Sequence, residues 1–549
     1  MIQKTNFSKK LFSLFLGVVF IFPCVNAQSN GFEVIKNLEL IDQIYEHLDK
    51  YYVDEPQPGK MSVAGISAML KNLDPYTVFY PESDIEDYRL MTTGQYGGIG
   101  ALIVKMKEYT YISEPYEGKP AQIAGLKAGD KILTIDGKDM KAKDTDEVSN
   151  ALKGPKGTTV SIKIDRSGET KTINVPRDEI KLPDVPYSGM LTASVGYVKL
   201  NGFTQTASAD VKSAFLALKA KGMTEFVLDL RGNGGGLLIE AVKIVNMFVP
   251  KGQTVVTTKG RVMEENRVYL TLDEPTDLQI PLTVLIDEGS ASASEIVSGT
   301  LQDLDRAVII GETSFGKGLV QRTYDLKYGT KVKLTVAKYY TPSGRCVQRL
   351  EYYDHELGLK PEEVPDSLLK IFKTFAGRDV IDGRGIEPDV KVEVKEISRL
   401  TSTLFLNNVF FNYATKFALE HESIADAKTF RLSEQEYAAF KEYALKETFT
   451  YSTASEEMLK KMKATAEEEG FYEDSKSEYE ALMNKVIPSK TRDLDKFSDE
   501  IRMLLENEIV SRYYYQEGRA LNAFSHDDIL LKALTILENK SSYDTILKK

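Results

Sequence analysis

The chain has 549 residues, 42% hydrophobic and 28% charged, with a formal net charge of −11. That balance excludes a wholly disordered or fibrous chain, and its sign argues against a nucleic-acid binder working through a general basic surface. Four His and two Cys are too few for a His/Cys-rich metal cluster. At roughly 150 residues per domain, the length implies three or four domains.

The first segment reads as an address. MIQKTNFSKK carries three lysines and no acid, Leu11–Phe22 is an apolar run of 12 residues, and Val25-Asn26-Ala27 offers small residues at −3 and −1. This is the pattern of a secretory signal peptide over residues 1–27. The run is short for a membrane span, and Phe22-Pro23 before Cys24 fits a lipidation site poorly. The expectation is an exported, periplasmic chain, with membrane association as the variant reading. Cleavage would take the charge from −11 to −14 and leave Cys346 without an intrachain partner.

Residues 28–92 predict a helical region. Apolar residues recur at helical spacing over Val34–Tyr52 and Met61–Leu73, and Pro75 and Pro81 then interrupt LDPYTVFYPES. Residues 93–177 turn to short β runs (ALIV, YTYISE, KILTIDG, TVSIKID, KTINV) with two short helical segments between them, which predicts one compact domain. Residues 178–395 alternate strand and helix. VGYVKL, FVLDL, LTVLID and AVIIG are apolar strands bounded by glycine turns, so a largely parallel α/β core is expected. Residues 396–549 show helical periodicity and no strand runs, an all-α extension.

Three stretches place reactive groups just after buried strands, where open α/β sheets put their sites. In Asp229–Gly236 (DLRGNGGG), four glycines free the backbone to present N–H groups to an anion or oxyanion, and equally suit a tight strand–helix turn. In Asp287–Glu295 (DEGSASASE), a serine at a strand-to-helix turn could be a nucleophile, while Ser292 and Glu295 also fit a capping box. Gly311–Gln321 (GETSFGKGLVQ) misses a phosphate loop by one residue, because Gly318 stands where that loop has Ser or Thr. It also holds Ser314-x-x-Lys317, a Ser–Lys spacing normally found on a helix. No His falls in these stretches; His355 lies in a polar segment further on. Lys317, flanked by Phe315, Leu319 and Val320, can serve as a base if burial disfavours its ammonium form.

GSASASEIVSGTLQD, GETSFGKGLVQ, KYYTPSGR and GRGIEPDV, in that order, resemble the carboxyl-terminal processing peptidases, or tail-specific proteases. LDLRGNGGG, LDPYTVFY and YGGIGALI are similar to further segments of that family, so the likeness spans roughly Leu73–Val390. The resemblance implies an α/β multidomain chain: a βα-type serine protease core, a PDZ domain over 93–177, and flanking helical regions. It implies Ser292 as nucleophile, Lys317 as base and Gln321 as the lysine's support. Ala293 and Gly235 would form the oxyanion hole. Tyr96, Gly97, Gly98, Ile99 and Gly100 would be the PDZ carboxylate-binding loop, with Ile99 lining a pocket for an apolar terminal side chain. Where the family often has Arg before glycine, this chain has Lys153.

The expectation is therefore a secreted serine endopeptidase that cuts proteins near their C-termini after the PDZ domain captures the tail. Its partners would be proteins or peptides with free C-termini, not nucleic acid, and the acyl-enzyme route calls for no cofactor and no metal. The helical extension is open as a homo-oligomer arm, a lid, an adaptor platform or a solvated cap. Two rivals remain from the residues themselves: a non-catalytic PDZ scaffold, and a nucleotide-binding protein using the 311–318 loop.

Overall fold

The computed structural model describes residues 30–352 and 362–548. The expected export segment and His355 lie outside the described residues. The chain forms two compact units, Met1–Met69 and Leu70–Lys549.

In the first unit, the helix Asn30–Tyr51 carries the predicted apolar stripe, and Ile35, Leu38, Ile41 and Ile44 on it are exposed. A second helix, Pro58–Lys71, follows, and Tyr45 and Ser62 share a hydrogen bond of 2.9 Å.

The predicted helical region 28–92 is not helical throughout. Val78–Tyr80 is a strand of the second unit, paired antiparallel with Lys331–Lys333. The helix Ile85–Thr93 follows it and ends at Gly94 in the left-handed conformation.

The domain over 93–177 is a six-stranded antiparallel sheet whose five-strand path begins at the edge strand Ala101–Met106. The strand patterns alternate because one face packs inward on Ile112, Ile132, Val160, Ile162, Ile164 and Val175. Asp144 caps the helix Thr145–Leu152 by taking the Glu147 N–H at 2.7 Å. Gln95–Gly98, at the start of this domain, pairs antiparallel with Asp178–Lys181 just beyond its end.

The core is the predicted parallel sheet. Its strands run in the order Val195–Lys199, Glu225–Asp229, Leu282–Ile286, Val308–Gly311 and Val390–Lys391, with Tyr187–Met190 added antiparallel at one edge. A parallel sheet must be covered on both faces, which is why its strands are apolar throughout. Helices Ala207–Ala220, Leu238–Asn246 and Ala293–Asp303 cover one face. The other face is covered by the end of the chain. Ile529, Leu530, Ala533, Ile536 and Leu537 of the helix Asp528–Glu538, with Tyr543 and Leu547 beyond it, pack on Val195, Tyr197, Val227, Leu285, Val308 and Ile310. The last helices of the chain thus cover the second face of this sheet, and a solvated cap does not describe them.

A five-stranded antiparallel sheet, absent from the sequence reading, adds Thr254–Gly260, Arg267–Leu270, Leu319–Asp325 and Lys331–Tyr340 to Val78–Tyr80. The remaining C-terminal helices build their own core around Phe410, Phe417, Phe440, Leu505 and Ile509. They also grip the domain over 93–177: Gln122 donates to the Tyr515 hydroxyl at 2.8 Å, and Arg519 donates to buried Glu114 at 3.2 Å. Tyr515 breaks the helix Ser498–Ala523 with φ +52° to make that reach.

Candidate active site

Ser292 ends the segment after the buried strand Leu282–Ile286 and begins the helix Ala293–Asp303. Its backbone sits at φ +56° and ψ −110°. A non-glycine residue there is strained, and such strain persists only where the surroundings impose it. The Ser292 N–H donates to Glu295 Oε2 at 2.8 Å, and its carbonyl accepts from the Tyr339 hydroxyl at 3.2 Å. The turn resembles a nucleophile elbow, with the side chain presented at the helix N-terminus.

Ser292 opens into a cleft of about 600 Å³ that is also lined by Ala293, Gly235, Lys317, Gln321 and Lys333. Lys317 is half-buried there. Burial, joined by repulsion from Lys333, pulls its pKa down from 10.5 to about 8, against the opposing pull of Glu295 and Asp74. Its Nζ stands 4.2 Å over the Tyr76 ring. Tyr76 itself comes from the LDPYTVFY segment, where Asp74 accepts from the Tyr76 and Thr77 N–H groups, each at 2.8 Å. No hydrogen bond joins Lys317 to Ser292 or to Gln321 among the described residues. Gln321 instead donates to Thr335 Oγ1 at 3.3 Å. Catalytic hydrogen bonds in unliganded enzymes commonly close only around substrate.

Glu295 is the residue whose weight the sequence concealed. Its fully buried carboxylate accepts four hydrogen bonds: from Ser314 Oγ at 2.6 Å, Gly316 N at 2.7 Å, Ser292 N at 2.8 Å and Lys317 N at 2.9 Å. Burial pushes its pKa up, while these donors favour the charged form. One carboxylate thus ties the serine's turn to the lysine's loop. The same contacts spend the Gly316 and Lys317 N–H groups that a phosphate loop would offer to a nucleotide, and Gly318 N goes to Gln348 at 2.7 Å. Ser314 is fully buried, donating to Glu295 and accepting from Ile386 N at 2.7 Å, so it does not face the cleft. The capping-box reading of Ser292 and Glu295 holds in part, since Glu295 does take the Ser292 N–H.

The glycine turn lies directly against the serine. A Cβ on Gly235, at φ +98°, would come within 2.8 Å of Ser292 Cβ, so the approach requires glycine. The Gly235 N–H, however, donates to Asn233 Oδ1 at 2.9 Å. Gly235 is placed as expected, but the oxyanion donor assigned to it is turned into the loop. Ala293 opens the helix, where N–H groups lack intrahelical partners and can face an oxyanion.

Tyr96, Gly97 and Gly98 run in the strand paired with Asp178–Ile180, and Gly97 accepts from Gly154 N at 3.1 Å. Gly100 turns the chain at φ +74° into the edge strand Ala101–Met106. Ile99 is a correction: it is 3% exposed and packs into the domain's own core with Ala121 and Leu126, so it lines no pocket for a terminal side chain. Lys153 pairs with Asp87 at 2.7 Å. Arg177 lies against Gly154 and donates to the carbonyls of Leu152 at 3.0 Å and Ala151 at 2.8 Å.

Comparison with known proteins accords with this arrangement. The peptidase family S41 model matches residues 194–362, a PDZ domain model matches 111–166, and the C-terminal helical domain of probable PDZ-proteases matches 400–537. A probable CtpA-like serine protease of Staphylococcus aureus (strain bovine RF122 / ET3-1) is 34% identical over 385 residues, which cover 66% of this chain and 75% of that protein. The chain belongs to the S41 family of CtpA-like serine proteases. A Staphylococcus epidermidis relative of the same description is 34% identical over 329 residues, 59% of this chain and 65% of that one. Among solved structures, a photosystem II D1 C-terminal processing protease is similar at 28% identity over 67% of this chain and 88% of its own, with a TM-score of 0.37. As an S41 peptidase with a PDZ domain, the chain is a serine-type endopeptidase, and its substrates contain peptide bonds.

Proposed function

We propose that this endopeptidase works through a Ser292–Lys317 dyad and selects substrates by their C-terminal tails. The observation that carries the dyad is the pairing, in one cleft, of a serine held at φ +56° on a strand–helix turn and a lysine whose pKa is drawn down to about 8. Neutral Lys317 Nζ takes the proton from Ser292 Oγ as that oxygen attacks the scissile carbonyl. The Ala293 N–H receives the developing oxyanion. Lys317 then passes the proton to the departing amine, which leaves Ser292 acylated. Lys317 Nζ then takes a proton from a water that attacks the acyl carbonyl, and returns that proton to Ser292 Oγ as the ester bond breaks, which releases the acid and restores the serine. Gln321, beside the lysine in the cleft, supports its orientation.

Tail selection is supported by the PDZ domain and by its edge strand Ala101–Met106, beside which the helix Thr145–Leu152 packs. A peptide could add to such an edge as a further strand, with its terminal carboxylate at the Tyr96–Gly100 loop. Export rests on residues 1–27, and N-terminal sequencing of the protein from its host should find the mature chain starting at Gln28.

The deciding experiment is fluorophosphonate labelling of the purified protein with peptide mapping. Labelling at Ser292, lost in Ser292→Ala and in Lys317→Ala, is the expected result. Labelling that survives Ser292→Ala would overturn the assignment.

A further inference from the structure

The glycine turn beside Ser292 is held from the far end of the chain. Arg231 points one edge of its guanidinium at Asp229, with Nε at 3.0 and 3.1 Å from the two carboxylate oxygens and Nη2 at 2.6 Å from one of them. It points the other edge at Asp527, with Nη1 at 2.8 Å from Oδ1 and Nη2 at 2.7 Å from Oδ2. Such two-pronged pairing fixes the plane of a guanidinium as well as its position. Asp229 is fully buried, and Lys199 Nζ also donates to it at 3.1 Å. Asp527 supplies the second anion beside these two cations.

Asp527 is itself rigidly placed. It caps the helix Asp528–Glu538, taking the Leu530 N–H at 3.0 Å, and that helix is packed on the parallel sheet. From Arg231 the anchoring runs along the turn toward the serine. The Arg231 N–H donates to Asp229 at 2.9 Å and the Gly232 N–H to Asp287 at 2.8 Å. The Asn233 carbonyl then accepts from Ala291 N at 3.0 Å and Ser294 Oγ at 2.8 Å, on either side of Ser292. Gly234–Gly236 therefore run from these anchors at residues 231–233 to a second one at Leu237, whose N–H donates to the Phe203 carbonyl at 2.8 Å, and the first anchor is held by Asp527.

We infer that Asp527 is a positioning residue for catalysis: acting through Arg231, it sets the glycine turn against Ser292, so the C-terminal region takes part in forming the catalytic cleft. This rests on the Ser292 reading above. A misplacement of about 1 Å at a reacting centre can cost on the order of 100-fold in rate.

Asp527→Asn separates this role from helix stability, because Asn caps a helix as well as Asp but offers Arg231 one oxygen and no charge. With the full-length enzyme and a peptide substrate, Asp527→Asn should lower kcat by roughly 10–100-fold with KM within about twofold. The rate of fluorophosphonate labelling at Ser292 should fall in parallel, and Asp527→Glu should recover part of both. Tyr543→Phe is the comparison. It removes a hydroxyl that holds the Leu282 backbone from the same pair of helices, so it should lower Tm and leave kcat near wild type. If Asp527→Asn lowers Tm as Tyr543→Phe does but keeps wild-type kcat and labelling, the positioning role is wrong. If wild-type enzyme is not labelled at Ser292, the dyad reading fails first and takes this inference with it.

Discussion

Tyr76 lies beneath the ammonium of Lys317, ring centroid to Nζ 4.2 Å, although about 240 residues separate the two in sequence. The ring has two opposing effects. It shields the amine from water, which favours the neutral base, and its π face attracts the cation, which favours the protonated form. Burial and repulsion from Lys333 lower the pKa to about 8, and the π attraction of the ring acts against them.

A base works in its neutral form, so the labelling rate should rise with pH around a midpoint near 8. Tyr76→Leu keeps the apolar cover and removes the π face. Cation–π attraction is worth about 0.5–2 kcal/mol, so the midpoint should fall by roughly 0.4–1.5 pH units. Tyr76→Ala admits water and should move the midpoint up toward the ordinary lysine value. A Tyr76→Leu midpoint that rises would contradict the proposed balance.

Lys317 also costs stability. Its folded pKa is depressed from 10.5 to about 8, so as pH falls through that window the unfolded chain takes up the proton first and folding weakens. The cost at neutral pH is at most about 3 kcal/mol. Lys317→Met should be inactive yet have a higher Tm at pH 7, with the advantage shrinking as pH approaches 10.5. Thermal melts across pH test this, and a uniformly lower Tm would refute it.

Strain at Ser292 gives a second separation of activity from stability. Both Ser292→Ala and Ser292→Gly should lose at least about 10³-fold in cleavage, because dyad members act as a unit. Glycine accepts φ +56° freely and alanine does not, so Ser292→Gly should be the more stable of the two by about 1 kcal/mol in denaturant unfolding. Equal stabilities would mean that the turn carries no strain.

The Glu295 carboxylate predicts loss of both properties at once. Glu295→Gln keeps the shape but offers one acceptor oxygen to four donors and turns an NH₂ toward the others. Hydrogen bonds to charged groups contribute about 1.5–3 kcal/mol each, so a loss of several kcal/mol is expected, with activity falling on the order of 100-fold as both catalytic loops shift. A fully active, fully stable Glu295→Gln enzyme would show that the carboxylate does not link them.

The parallel strands were legible because burial on both faces leaves unbroken apolar runs between glycine turns. The hairpin Leu319–Asp325 and Lys331–Tyr340 was not, since Arg322, Thr323, Lys333 and Thr335 give it a polar surface that reads as loop. The helix Asp528–Glu538 showed its apolar face, but nothing local says that this face covers a sheet some 300 residues earlier. Ser292 and Lys317 could be named from motif order. Glu295 read as a cap because three of its four donors come from residues 314–317, beyond the reach of any local pattern. The donor at Gly235 failed for a finer reason: the sequence says the turn can expose N–H groups, while the Asn233 side chain decides which one it keeps.

Tail capture makes the last prediction. The strand Ala101–Met106 stands at the edge of its sheet, and the Tyr96–Gly100 loop feeds directly into it. A peptide added along that edge would bring its terminal carboxylate to backbone N–H donors of the loop. Amidation removes the charge, and charge-assisted hydrogen bonds are worth about 1.5–3 kcal/mol, so apparent affinity should fall roughly 10–150-fold. Ile99 is committed to the domain core, so any preference for an apolar last residue must come from other side chains along the strand and the helix Thr145–Leu152. The measurement compares cleavage of one unfolded protein with free and amidated C-termini at substrate concentrations below KM. A short peptide spanning only the cut site, too short to reach the PDZ domain, should be indifferent to amidation. Equal rates for the two forms of the long substrate would mean that this enzyme does not choose its substrates by their tails.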